Sequence, residues 1–156
     1  MKRTTSDRRR QILRRMAGLT GLALVLPASA GETPKGRKSG PGVVYHVDDT
    51  ATQAIAAIRN IRNHREQAPG LPIRVVTLAN GIDWLLEGAQ DDRGNDYAAL
   101  IDGLMFDGVS FVVCRNTLDT RELSEDDVHF GVELVTSGVH EITRLQLEQG
   151  YAYVKP

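Results

Sequence analysis

One residue of this chain combines a nucleophilic side chain with a position at the end of a buried strand. Cys114 is the only cysteine among the 156 residues, and it follows the run Val-Ser-Phe-Val-Val. Backbone N–H groups of the turn Arg115-Asn116-Thr117, together with Arg115 or Arg121, would favour the thiolate, the nucleophilic form of cysteine. A cysteine in such a run is also typical of a small buried hydrophobic residue. The sequence therefore leaves two interpretations open, a reactive thiol and a packed one.

His46 is the other candidate for chemistry at the end of a strand. It belongs to the first apolar run of the folded part and is followed by Asp48 and Asp49. No spacing ties it to a partner, so its position favours a histidine satisfied by a neighbour, with a general base as the alternative. We expect His46 to support the site at Cys114 in either case.

Two acidic stretches suggest metal sites, but each has a simpler explanation. Residues 125–129 occupy successive helix positions that point in different directions, and helix capping explains most of them. Residues 91–96 lack the spaced ligands and the terminal glutamate of a calcium loop. The chain also has no Walker sequence and no G-x-G-x-x-G after a strand. We therefore predict neither a metal nor a cofactor.

The elements that position these residues alternate along the chain. Apolar runs predict five strands, at residues 43–47, 73–78, 109–114, 132–135 and 151–154. Helical patterns lie between them, with capping residues at Thr50, Asp96, Ser124 and Ser137 and a short helical piece around Trp84. This alternation predicts an α/β, flavodoxin-like three-layer fold with a mainly parallel five-stranded sheet.

The carboxyl ends of parallel strands meet at one edge of the sheet, where ligands and reactive groups gather. That rule predicts that Cys114, His46, the pair Asn80-Gly81 and the pair Ser137-Gly138 lie in one neighbourhood.

The first thirty residues have the three parts of a signal peptide in order. Arg8 to Arg10 form a twin-arginine n-region. Met16 to Leu26 is apolar but far shorter than the roughly 20 residues that span a bilayer. Ala28-Ser29-Ala30 supplies the small-x-small cleavage site. The sequence predicts a twin-arginine signal peptide at 1–30, a flexible leader at 31–41 and one folded domain at 42–156, exported to the periplasm.

Cleavage changes the charge of the protein. Residues 1–30 contain seven of the nineteen basic residues and one of the twenty acidic ones, so the mature net charge is about −7. Nucleic acids and anionic lipids are bound mainly through lysine and arginine, so the acidic mature chain argues against both as partners. We expect no stable membrane association after cleavage.

Three segments together resemble a known family: Val112 to Leu118, Ser137 to Ile142, and the closing Gly-Tyr-Ala-Tyr-Val-Lys-Pro at 150–156. The domain resembles the DsrE/DsrF-like family of sulfur-relay proteins, and in particular its exported branch with Tat-type signals. The resemblance covers nearly all of Val43 to Pro156. In this family the sulfur-carrying cysteine is typically followed by an Arg-Gly pair, where this chain has Arg121-Glu122.

The resemblance implies a subunit that assembles into homotrimers or homohexamers and carries sulfane sulfur as a persulfide on Cys114. Its partners would be a sulfane-sulfur donor and an acceptor thiol, with Arg115, Asn116, Thr117 and Arg121 supporting the site. The predicted function is thus a periplasmic sulfur carrier or sulfurtransferase-like protein. The alternatives are a non-enzymatic oligomeric binding or structural module, and a thiol redox sensor.

Overall fold

The computed structural model describes residues 40–156. Within them, five strands alternate with four helices: β1 (Val43–Asp49), α1 (Thr50–Gln67), β2 (Ile73–Asn80), α2 (Ala98–Phe106), β3 (Val109–Cys114), α3 (Arg115–Thr120), β4 (Glu133–Val135), α4 (Gly138–Gln149) and β5 (Ala152–Val154). Two short 3-10 helices cover Asp83–Leu85 and Glu125–Asp127. No helix in this part of the chain is long and apolar enough to cross a bilayer.

All strand pairs are parallel, and the strand order is β4-β3-β2-β1-β5. The first four strands therefore step in one direction across the sheet, and the connection from β4 to β5 returns to the far side of β1. Because parallel crossovers are right-handed, this reversal places the returning helix on the opposite face from the earlier helices. The predicted fold class, a flavodoxin-like α/β fold with a five-stranded sheet, is confirmed.

Alternate strand residues build one hydrophobic core on each face of the sheet. On the first face Tyr45, Val75 and Phe111 pack with α1, α2 and Trp84, and on the second face a smaller core packs against α4 alone. Its members are Val44, Val76, Val112, Ile142, Leu145 and Tyr151. The period-2 alternation of buried side chains decides which strand residues face α4.

Glu141 ties α4 to the sheet through an ionic network on the second face. Its side chain is 7% exposed, and it accepts hydrogen bonds from Arg74 at 3.0 Å and from Arg144 at 2.8 and 2.9 Å. Arg74 also donates two hydrogen bonds to Glu133, at 3.1 and 2.8 Å. The bonds to Arg144, with the charge of Arg74, hold the pKa of Glu141 below its ordinary value although burial opposes this.

Two helix starts differ from their predicted caps. Asp49, and not Thr50, caps α1 by accepting a hydrogen bond from the Ala51 amide, because the Thr50 hydroxyl donates to the Asn80 carbonyl instead. Tyr97 occupies the N-cap position of α2, while the Asp96 carboxylate accepts from Gln90. The Thr50 hydroxyl is used in a contact between α1 and β2, and the Asp96 carboxylate in a contact within its own loop.

Residues 115–120 form a helix, α3, where the sequence predicted only a turn. The helix ends in a Schellman motif, in which the amide of Leu123 donates to the Leu118 carbonyl and that of Glu122 to the Asp119 carbonyl. Glu122 has a φ of 55°, in the left-handed region that favours glycine. Only Leu118 of this helix is buried, so its sequence lacks the periodic apolar residues that predict a helix.

Candidate functional site

Cys114 is the last residue of β3 and the N-cap residue of α3. It is 6% exposed, and β2 and β4 flank β3 in the sheet. Its Sγ lies 3.9 Å from the Thr136 carbonyl oxygen, to which the thiol donates. The thiol is therefore a free one, held just beneath the surface at the carboxyl edge of the sheet.

The start of α4 lies directly against Cys114. A methyl group placed on Gly138, the first residue of α4, would come within 3.3 Å of the Cys114 Cβ and 3.1 Å of Leu78 Cδ2. A side chain at this position would require Leu78 or Cys114 to shift by a few tenths of an ångström. The first backbone amides of a helix have no intrahelical partners and give its N-terminus a partial positive charge, which stabilises a neighbouring anion.

The first turn of α3 is fixed to the strands on both sides. The Asn116 amide donates to the Thr136 carbonyl at 3.2 Å, on the β4 side. The Thr117 hydroxyl accepts from the Ala79 amide at 3.1 Å, on the β2 side. Ala79 has a φ of 51°, a left-handed conformation that is costly for an alanine. The Asn116 backbone and the Thr117 side chain thus fix the start of α3, and their role in supporting the thiol stays a prediction.

Both predicted arginines are engaged in ion pairs away from the thiol. Arg115 forms a salt bridge with Glu125 of the second 3-10 helix. Arg121 forms a salt bridge with Asp83 at 2.5 Å and lies 3.5 Å from the Ala79 carbonyl oxygen. In this conformation the two guanidinium groups hold the surrounding loops.

His46 lies on β1, two strands away from Cys114. Its Nδ1 is 2.8 Å from the Tyr153 hydroxyl of β5, and its buried Nε2 has no hydrogen-bond partner within residues 40–156. Burial, and secondarily the charge of Lys155, lower the pKa of His46, while Asp48 opposes them. Lys155 in turn forms a salt bridge with Asp48. These residues form a second polar cluster between β1 and β5, apart from the thiol.

The sheet edge thus brings together fewer of the predicted residues than expected. Gly138 and Thr117 reach the neighbourhood of Cys114, whereas His46 contacts β5. Thr136 and Ala79 also contact the site, but only through backbone atoms, so no pattern of side chains in the sequence indicates them. Within residues 40–156 no group of three or more histidine, cysteine or carboxylate side chains is arranged to hold a metal ion.

A cleft of about 520 Å³ opens at the N-terminus of α1, on the first face of the sheet. Its lining includes Thr50, Arg59, Asp83, Arg93 and Tyr97, and does not include Cys114. The thiol therefore lies outside this cleft.

The site offers a free thiol beside the start of α4. A cysteine side chain is a nucleophile when it is deprotonated, so the chemistry available at this edge of the sheet is that of a thiol.

Comparison with known proteins assigns a family to this arrangement. The model of the family described as "DsrE/DsrF-like family" matches residues 44–156, from β1 to the last residue of the sequence. A search of curated proteins finds no match.

Two solved structures have the same fold. A protein of unknown function from Methanobacterium thermoautotrophicum, MTH1491, is 33% identical with a TM-score of 0.66, covering 74% of this chain and 99% of its own. The ychN protein from E. coli is 18% identical with a TM-score of 0.62, covering 74% of this chain and 99% of its own. The first supports the family, and the second supports the fold.

Proposed function

This chain belongs to the DsrE/DsrF-like family, and on that premise we propose that it is an exported sulfur carrier that holds sulfane sulfur as a persulfide on Cys114. The donor is a small sulfane-sulfur compound or a protein persulfide, and the acceptor is a thiol. The family supports a sulfur-relay role in general, and the residues around Cys114 support the specific chemistry.

The single observation behind the proposal is the contact between Cys114 and the start of α4. A persulfide is an anion with its charge on the outer sulfur, and a helix N-terminus stabilises such a charge without a positively charged side chain. Gly138 makes this approach possible, because a side chain there would press on the Cys114 Cβ. Asn116 and Thr117 hold the start of α3, and Arg115 and Arg121 act as positioning residues through their ion pairs.

The transfer is balanced without an external oxidant. The Cys114 thiolate attacks the outer sulfur of a donor such as thiosulfate, the S–S bond of the donor breaks, and sulfite leaves with the electron pair. An acceptor thiolate then attacks the outer sulfur of the Cys114 persulfide, and the Cys114 thiolate leaves. The sulfane sulfur passes unchanged from donor to acceptor.

Intact mass spectrometry tests the proposal directly. After treatment with thiosulfate or polysulfide, the folded wild type should gain about 32 Da, and dithiothreitol should remove the added mass. The Cys114→Ser variant serves as the control and should gain nothing. A wild type that stays unmodified in both reagents would exclude sulfur transfer through Cys114.

Burial of Cys114 favours a second candidate, a non-enzymatic module in which the thiol is only packed. A thiol reagent separates the two, because a packed thiol reacts only when the protein unfolds, whereas a sulfur carrier reacts in the folded state. A thiol redox sensor would react too, but with peroxide, giving sulfenic acid or an interchain disulfide instead of a persulfide.

We propose further that residues 1–30 direct the protein to the periplasm through a twin-arginine route. The support is the sequence of these residues, which lie outside the part that the structure describes. In a bacterium with this export route, the mature protein should appear in the periplasmic fraction with Gly31 at its N-terminus. Changing Arg9 and Arg10 to lysine should leave the precursor in the cytoplasm, and unchanged export would contradict the assignment.

A further inference from the structure

The cleft at the N-terminus of α1 lies between one side of that helix and the loop that precedes α2. Ala51, Ile55 and Arg59 line it and are spaced four residues apart, so they lie along one side of α1. Residues 90–93 and Tyr97 line it from the loop. From Ala51 to Arg59 the helix rises by about 12 Å. The cleft volume of about 520 Å³ is within the range of pockets that bind small molecules.

Tyr97 has a hydroxyl group that the protein itself does not use. The residue is 5% exposed, and its ring packs edge to face on Trp84 with ring centroids 6.1 Å apart. Within residues 40–156 its hydroxyl has no hydrogen-bond partner. Burial raises the pKa of Tyr97 and the charges of Asp91 and Asp92 add to the rise, so the hydroxyl lies beside the loop that lines the cleft. Buried hydroxyl groups normally have a partner, so this one is available to a ligand.

The guanidinium groups of Arg59 and Arg93 are unpaired positive charges in the lining of the cleft. Neither forms an ion pair or a hydrogen bond within the part of the chain that the structure describes. One belongs to α1 and the other to the loop, so the two charges come from different walls. A guanidinium group binds a carboxylate through paired, charge-assisted hydrogen bonds. The start of α1 adds no further site for an anion, because the Asp49 carboxylate already accepts from the Ala51 amide.

The three carboxylates of the cleft differ in how far the protein already uses them. Asp83 forms a salt bridge with Arg121, and both oxygens of Asp91 accept hydrogen bonds from Asn95. Asp92 has no partner among the described residues. The groups left for a ligand are therefore two guanidinium groups, one carboxylate and the tyrosine hydroxyl. This set is complementary in charge to a molecule with one negative and one positive end.

We propose that the cleft binds a short peptide with free ends, with its carboxylate on the two arginines and its ammonium group on Asp92 and the Tyr97 hydroxyl. At neutral pH such a peptide carries both charges, because its α-carboxyl group is ionised and its α-amino group is largely protonated. An extended dipeptide spans about 7 Å, so it fits within the length of the cleft along α1. Ile55, which is 44% exposed, offers an apolar contact for a side chain of the peptide. This binding does not depend on the chemistry of Cys114.

Titration with a dipeptide tests the site. The probe is L-leucyl-L-alanine at about pH 7. The signal is the fluorescence of Trp84, the only tryptophan of the chain, which contacts Tyr97. Isothermal titration calorimetry follows any titration that leaves the fluorescence unchanged. The wild type should bind the probe saturably, with a Kd of about 1 mM or lower. N-acetylation of the probe removes its positive charge and amidation removes its negative charge, and each should weaken binding by about tenfold.

Four variants assign the two ends of the peptide to their partners. Arg59→Gln and Arg93→Gln should each weaken binding of the dipeptide by about tenfold, because each removes a charged hydrogen-bond donor. Asp92→Asn should have a similar effect on the dipeptide but none on its N-acetylated form, which has no ammonium group. Tyr97→Phe keeps the ring and removes only the hydroxyl, and should weaken binding by about threefold. The melting temperature should stay close to wild type, because these polar groups have no partners within residues 40–156.

Arg62→Gln is the matched control. Arg62 is an exposed arginine of the same helix, but it borders a separate shallow groove and does not line the cleft. This variant and Cys114→Ser should bind the dipeptide with wild-type affinity, which separates the test from that of the sulfur chemistry. The proposal is overturned if the wild type shows no saturable binding up to about 10 mM. Equal binding of the free and the capped dipeptides, or equal losses in Arg59→Gln and Arg62→Gln, would overturn it as well.

Discussion

Gly138 decides how closely α4 approaches the thiol. Its contacts are with Leu78 and Cys114, at distances where a side chain would force one of them to move. Only the geometry across the sheet edge reveals this requirement, because a glycine at the first position of a helix has no special meaning in the sequence itself. Gly138 therefore belongs to the surroundings of Cys114 as much as the residues that follow the cysteine in the chain.

Gly138→Ala is expected to displace α4 and to slow the formation of the Cys114 persulfide. The loss of stabilisation from the helix N-terminus corresponds to roughly threefold to tenfold in rate, or about 0.7–1.4 kcal/mol. The rate is measured from the mass adduct at fixed pH and donor concentration. Gly103→Ala in α2 is the matched control, since a methyl group there meets nothing and should leave the rate unchanged. Equal rates in wild type and Gly138→Ala would show that α4 does not assist the thiol.

The sequence predicted part of the site correctly because strand ends follow a rule. Cys114 ends β3 and Gly138 begins α4 at the same edge of the sheet, so the proximity of the two residues could be inferred from the sequence. The partners of Arg115 and Arg121 could not, because Glu125 and Asp83 lie in loops whose paths depend on the whole fold. The position of His46 was uncertain for the same reason: its neighbour Tyr153 is far away in the chain.

At the scale of elements, α3 is a short helix that the sequence pattern does not predict. It has one buried residue, Leu118, and it is held by contacts with neighbouring strands more than by its own composition. The longer elements were predicted well, since β1, β2 and β3 are apolar runs and Gly150 ends α4 with a φ of 71°. Val139 of α4 is exposed, because Gly138, Glu141, Ile142 and Leu145 are the residues of this helix that face the sheet.

Glu122→Gly is expected to stabilise the protein. Glu122 occupies the left-handed position of the Schellman motif that ends α3, where a side chain costs about 1 kcal/mol relative to glycine. Allowing for the greater freedom of glycine in the unfolded chain, the free energy of unfolding should rise by about 0.5 kcal/mol. Urea denaturation measures the change, and Glu122→Ala, which keeps a Cβ, should show little gain. A destabilised glycine variant would mean that the Glu122 side chain has a stabilising role of its own.

At the scale of the whole molecule, the two faces of the sheet are stabilised differently. The first face is covered by α1 and α2 over a large apolar core, whereas the second has only α4. The buried Glu141 network compensates by fixing that single helix to β2 and β4 through Arg74. No local sequence pattern indicates this network, because Arg74 and Glu141 are 67 positions apart.

The network predicts how stability depends on pH. The pKa of Glu141 is lower in the folded state than in the unfolded chain, so its contribution is present above the ordinary carboxyl pKa and is lost as pH falls through the folded-state value. Glu141→Gln should lower the free energy of unfolding by about 2–4 kcal/mol at neutral pH, with a smaller difference in acid. Glu133→Gln, at a side chain 53% exposed, should cost under about 1 kcal/mol. A difference between wild type and Glu141→Gln that is independent of pH would contradict the assignment.

The pairing of β1 with β5 has a consequence for the order in which the protein folds. β1 forms near the beginning of the domain, yet its outer neighbour is 107 positions away, as the contact between His46 and Tyr153 shows. Contacts over such separations form late, because closing a long loop lowers the entropy of the chain before the strand pairing contributes any stabilisation. The inner strands can align as they are synthesised, but the outer edge of β1 stays open until β5 arrives. Until β5 has paired, the exposed edge of β1 can pair with a strand of another chain, so the long separation between the two strands makes this edge a place where misassembly can begin.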